Sequence, residues 1–118
     1  MLSVWIDGPG TAVRGLFWDR GATACYRCLY HHAQDGRYQA VPGGAPSVLA
    51  GHGCEGMYVP FPASVSVQAA SLGVDMALGW ANEKLEYKLQ TRLLDKTLSL
   101  ETPDCNPEPH AKCPVCGS

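Results

Sequence analysis

The sequence predicts a small α+β domain: a few antiparallel strands, one long buried helix, and two chain ends tied together. Three observations predict it. Val65, Ala69, Leu72, Met76 and Trp80 recur at spacings of four, three, four and four, which is one face of a helix. Leu85, Tyr87, Leu89, Thr91 and Leu93 alternate with charged or polar neighbours, the period of a half-buried strand. Four of the six cysteines form two Cys-x-x-Cys pairs, Cys25 with Cys28 and Cys113 with Cys116, near opposite ends of the chain.

The 118 residues provide for one domain, 1–118. Apolar residues make up 46% of it, enough for a core. A chain this short buries a modest fraction of its surface, so a staple would help it fold. The net charge of −2 speaks against nucleic acid as a partner, because phosphate binding needs a basic face. No apolar run reaches the length of a membrane span. The segment Met1 to Asp7 lacks the basic and apolar regions of an export signal, so a cytoplasmic chain with reduced thiols is expected.

Leu2 to Ile6 reads as a strand, and Ala12 to Trp18 as a second one returning through Gly8-Pro9-Gly10. A turn at Asp19-Arg20-Gly21 leads into the first cysteine pair. Residues 31–56 are polar and rich in glycine and proline, and read as a long loop. Ser64 is the expected N-cap of the main helix, and Gly79 lies near its end. Val67, Ala70, Val74 and Leu78 line a neighbouring face of that helix, so it is expected to be buried on most sides, with Trp80 in the core. Leu85 to Leu93 is the next strand, and Leu98 with Leu100 starts another. The helix would then cover one face of an antiparallel sheet.

Two Cys-x-x-Cys knuckles are the donor set of a structural zinc site, which takes four soft ligands and keeps no open position. Cys25, Cys28, Cys113 and Cys116 are the expected ligands. The gap between the pairs is far longer than the roughly 15–20 residues of a zinc ribbon. A redox pair is the competing reading of either knuckle, but it would sit beside a βαβ pattern, which is missing. Cys105 and His110 lie near the second knuckle and could replace or support ligands. Two complete pairs already fill four positions, so Cys105 is expected to be a spare thiol in a loop. His31 and His32 are expected to be solvated loop residues, and Arg27 a surface cation.

The order of these features carries a resemblance. Cys25-Tyr-Arg-Cys28-Leu29 follows a strand pair, a helix and strands come next, and Cys113-Pro-Val-Cys116-Gly117 closes the chain. This resembles the C-terminal half of the ThiF/MoeB/HesA family, the E1-like enzymes that adenylate the C-terminus of a ubiquitin-like or sulfur-carrier protein. The resemblance covers roughly residues 12–118. It implies a zinc-containing part of such an enzyme. ATP and Mg²⁺ would bind only through a Rossmann-like N-terminal half that has no counterpart in these residues. Gly51-His-Gly-Cys-Glu-Gly56 has glycines at nucleotide-loop spacing but follows no good strand.

The resemblance also singles out Cys54, alone in a glycine-rich loop ahead of the main helix. A thiolate there would attack the acyl-adenylate and take the acyl group as a thioester. His52 is a candidate base, and Glu55 would raise the thiol pKa if it lay close. The competing reading is a structural cysteine in a loop. The family also implies a homo-oligomer. The rival to an activating enzyme is a non-enzymatic, zinc-stapled module that docks a protein partner.

Overall fold

A computed structural model of the chain describes residues 1–8, 10–18, 23–42 and 63–114. Two strands open it, β1 over Leu2–Asp7 and β2 over Ala12–Phe17. They pair antiparallel from Leu2↔Phe17 to Asp7↔Ala12. Thr11 N–H closes the return on the Asp7 carbonyl at 3.0 Å. Gly8 and Gly10 supply positive φ angles of 61° and 106° there, which only glycine adopts without a steric penalty. The third strand, β3 over Leu89–Leu93, pairs antiparallel with β2, so the order is β1-β2-β3 and every residue of the central strand is buried.

Alternation along β2 sends its side chains to two separate cores. Val13 and Phe17 face a long helix, α2 over Ala63–Ala81, and pack with its Val65, Leu72 and Met76. Gly15 sits under the same helix. A Cβ there would come within 2.4 Å of Met76 Sδ, so glycine is what permits this close approach. Leu16 points the other way, to Leu29 and Leu89. Arg14 is also buried on that side. Its guanidinium donates to Thr91 Oγ1 at 3.0 Å and to the Tyr38 carbonyl at 2.6 Å, and lies 3.9 Å from Asp7. Burial pushes the Asp7 carboxyl up, and Arg14 offsets only part of that.

The α+β class holds, but several elements differ from expectation. α2 buries one face only. Val67, Val74 and Leu78 are exposed, and Trp80 is 54% exposed although its ring leans on Phe17. The helix already includes Ser64, which is therefore not its N-cap. The strand expected from Leu85 begins at Leu89, because Leu85 packs toward α2 while Leu89 faces the opposite core. Leu98 starts no strand. Its N–H closes a turn on the Asp95 carbonyl at 3.2 Å, and both it and Leu100 are exposed. The outer edge of β3 is met instead by Cys105, which exchanges both backbone hydrogen bonds with Leu89 at 2.9 and 3.0 Å.

The largest correction is a helix, α1 over Tyr26–Gln34, where a loop was expected from residue 31. Its buried residues are Cys28, Leu29 and His32, so one of the three positions is polar and another is a cysteine that reads first as a metal ligand. It ends in a Schellman motif: Gly36 N–H bonds the Ala33 carbonyl at 3.0 Å and Arg37 N–H the His32 carbonyl at 2.8 Å, with Gly36 at φ 76°. Of the expected 31–56 loop, residues 43–56 lie outside the described residues. No helix among the described residues is long and apolar enough to cross a membrane.

Candidate metal centre

Cys25 is the N-cap residue of α1 and Cys28 lies one turn in, so the i, i+3 spacing puts both thiols on one side of the helix start. Their Sγ atoms are 3.7 Å apart. Cys113 Sγ lies 3.7 Å from that of Cys25. All three residues are buried, at 5%, 0% and 0% exposure, against Ala24 and Trp18. These separations are far beyond a disulfide bond of about 2.05 Å. They match the edge of a tetrahedron of sulfurs around Zn²⁺, about 3.8 Å for a Zn–S bond of about 2.3 Å. Cys25, Cys28 and Cys113 thus form a buried group able to hold a metal ion. The fourth expected ligand, Cys116, lies outside the described residues, as do Cys54, His52 and Glu55.

Cys113 reaches the helix through a run of contacts by the segment before it. Ala24 N–H bonds the Pro107 carbonyl at 2.9 Å. His32 Nε2 meets the Glu108 carbonyl at 2.7 Å. His110 Nε2 meets Asp35 Oδ2 at 2.8 Å, and this hydrogen bond is the main reason the Asp35 carboxyl is held below its ordinary value. Lys112 N–H donates to His110 Nδ1 at 3.0 Å, and Cys113 N–H to the His110 carbonyl at 3.0 Å.

The tandem histidines are not solvated loop residues. His32 is 3% exposed, and the His31 and His32 rings pack on His110 at 5.3 and 4.8 Å between centroids. His31 Nε2 and His32 Nδ1 are buried without a hydrogen-bond partner among the described residues. His110 stands behind the thiols rather than among them, since both its ring nitrogens are engaged elsewhere. Cys105 sits in the other core, and burial there pushes its thiol up. Arg27 is exposed, as expected of a surface cation. Sequence spacing located the three cysteines. It named His110 as a residue that could support the ligands, but it did not locate Asp35 or His32 as partners of the 108–112 segment, because nothing local links positions some seventy-five residues apart.

No family model matches the chain, and no solved structure does. It is 55% identical, over all 118 residues, to the ATP-dependent ubiquitin transferase-like protein Cap2 of Pseudomonas aeruginosa (strain BWHPSA011 / Pa011). The chain spans 22% of the length of that relative. The match bears out the resemblance to the E1-like family: this chain corresponds, end to end, to a segment of such a protein.

Proposed function

We propose that the chain is a zinc-stapled segment of the machinery that activates a ubiquitin-like protein. Zn²⁺ is held by Cys25, Cys28, Cys113 and Cys116 as a structural ion with no open position. The observation that carries this is the buried triangle of thiols with 3.7 Å separations from Cys25, the size a tetrahedral zinc–thiolate centre needs. The ion fixes the start of α1 to the segment that follows β3.

The activity rests on kinship with a protein named as an ATP-dependent ubiquitin transferase-like protein. In this reading ATP and Mg²⁺ bind outside the 118 residues, the terminal carboxylate of a ubiquitin-like or sulfur-carrier partner attacks the α-phosphorus of ATP, and pyrophosphate leaves to give the acyl-adenylate. The Cys54 thiolate then attacks the acyl carbon, AMP leaves, and the acyl group remains on sulfur as a thioester. The exposed apolar side of α2, with Val67, Val74 and Leu78, supports association with a further copy or subunit.

Two experiments test the two halves of the reading. Elemental analysis of metal-replete protein is expected to give one zinc per chain, lost or weakened in Cys113→Ser. No metal in either sample would remove the zinc centre. In the full-length protein, ATP and the ubiquitin-like partner are expected to yield a thiol-sensitive adduct that Cys54→Ala abolishes. An adduct that survives the substitution would remove Cys54 as nucleophile, and no adduct at all would favour the docking module.

A further inference from the structure

We propose that His32, His110 and Asp35 are positioning residues of the metal centre: they clamp the Cys113 segment onto α1, so that the thiol triangle is formed before metal arrives. The proposal rests on the zinc reading and adds to it residues that touch no metal.

The hydrogen bonds fix which nitrogen of each ring carries its proton. Lys112 N–H points at His110 Nδ1, so Nδ1 accepts and Nε2–H donates to Asp35. His32 Nε2 faces a carbonyl oxygen, which can only accept, so Nε2 carries its proton as well. Both rings donate through Nε2 and are held between α1 and residues 108–112. The His110 ring packs edge-on against His32 and stacks on His31, which sets its tilt.

That geometry passes directly to the thiol. The same His110 whose ring is pinned by Asp35 offers its carbonyl to Cys113 N–H. The turn from 110 to 113 is thus fixed at both ends, and Cys113 Sγ comes to rest 3.7 Å from Cys25 Sγ. Outside this clamp, Ala24 N–H on the Pro107 carbonyl holds the segment six residues before Cys113, too far away to aim a side chain. Loss of groups that orient metal ligands from behind costs roughly 10–100-fold in metal affinity.

The test is zinc competition against a chromophoric chelator on the 118-residue chain, with Co²⁺ spectra and far-ultraviolet circular dichroism of the metal-free proteins. His110→Ala and Asp35→Ala are expected to weaken zinc about 10–100-fold. Their metal-free folds and the thiolate-to-cobalt absorption per bound ion should match wild type, because the ligands are unchanged. His110→Gln, which retains a donor toward Asp35, should recover much of the affinity. Wild-type protein that binds zinc together with alanine variants of equal affinity would overturn the clamp and leave the zinc centre standing. Metal-free variants that all unfold would overturn it too, since the residues would then maintain the fold at large. Wild-type protein that takes no zinc would overturn the metal reading and this proposal with it.

Discussion

Glu83 shows how a single backbone angle stores removable strain. It follows α2 with φ 58°, while its N–H bonds the Trp80 carbonyl at 3.0 Å and Lys84 N–H bonds the Gly79 carbonyl at 2.7 Å. This is the Schellman ending that α1 makes with Gly36, but with a side chain in the left-handed position. An L-residue pays about 1–2 kcal/mol there, partly offset by the larger freedom glycine has when unfolded. Glu83→Gly is therefore expected to stabilise the chain by about 0.5–1 kcal/mol in urea titration. Asp95 makes a different local contribution. Its Oδ1 accepts from Thr97 Oγ1 at 2.6 Å and Thr97 N–H at 3.0 Å, and these bonds hold its carboxyl below the ordinary value. A depressed folded pKa gives stability that is present above the unfolded value and lost as pH falls through the folded one. The urea midpoint of Asp95→Ala should fall below wild type at neutral pH, and the gap should close as the pH falls through the depressed pKa of the folded carboxyl. A gap that persisted in acid would mean that the turn acts through shape rather than charge.

At the scale of elements, the two sides of α2 make opposite predictions. Leu72 is 1% exposed in the core, and Leu72→Ala is expected to cost about 2–5 kcal/mol. Val74 is 56% exposed, and Val74→Lys should stay within about 0.5 kcal/mol while lowering self-association measured by light scattering. The apolar period made this helix legible, but a sequence pattern does not tell a buried face from one that awaits a partner. The β1–β2 hairpin was legible from its glycine turn and β-branched residues. α1 was not, because its buried positions are Cys28, Leu29 and His32, and its stop signal, Gly36, sits in what reads as loop. β3 was placed too early because a run of alternating residues can change faces, as Leu85 and Leu89 do. The further strand expected from Leu98 and Leu100 does not form at the edge of β3. The partner of that edge is Cys105, flanked by Asp104 and Asn106, whose side-chain oxygens accept from Thr91 and Lys88 N–H at 3.0 and 2.8 Å. Side-chain acceptors standing in for a strand leave no period to read.

Across the whole molecule, residues 104–113 act as a strap. They start on β3 at Cys105, pass Ala24 at Pro107, lie along α1 at Glu108 and His110, and end at the thiol of Cys113. The strap meets the start of α1 at the Ala24–Pro107 hydrogen bond and again at the thiols, so an ion bound there is coupled to the tertiary fold. A ligand that binds the folded state alone stabilises it by RT ln(1 + [L]/Kd), or about 1.4 kcal/mol for each tenfold rise in free ligand once well above Kd. The melting temperature in zinc buffers is therefore expected to climb with the logarithm of free zinc. Cys113→Ser should flatten the climb, because one corner of the triangle is gone. The climb should also weaken in mildly acidic buffer, where protons compete for the thiolates. Scanning calorimetry across zinc concentration and pH separates this from a metal-independent strap. If the wild-type melting point ignored zinc, the three buried thiols would be a packing cluster, and the hydrogen bonds along the strap would close the fold without metal.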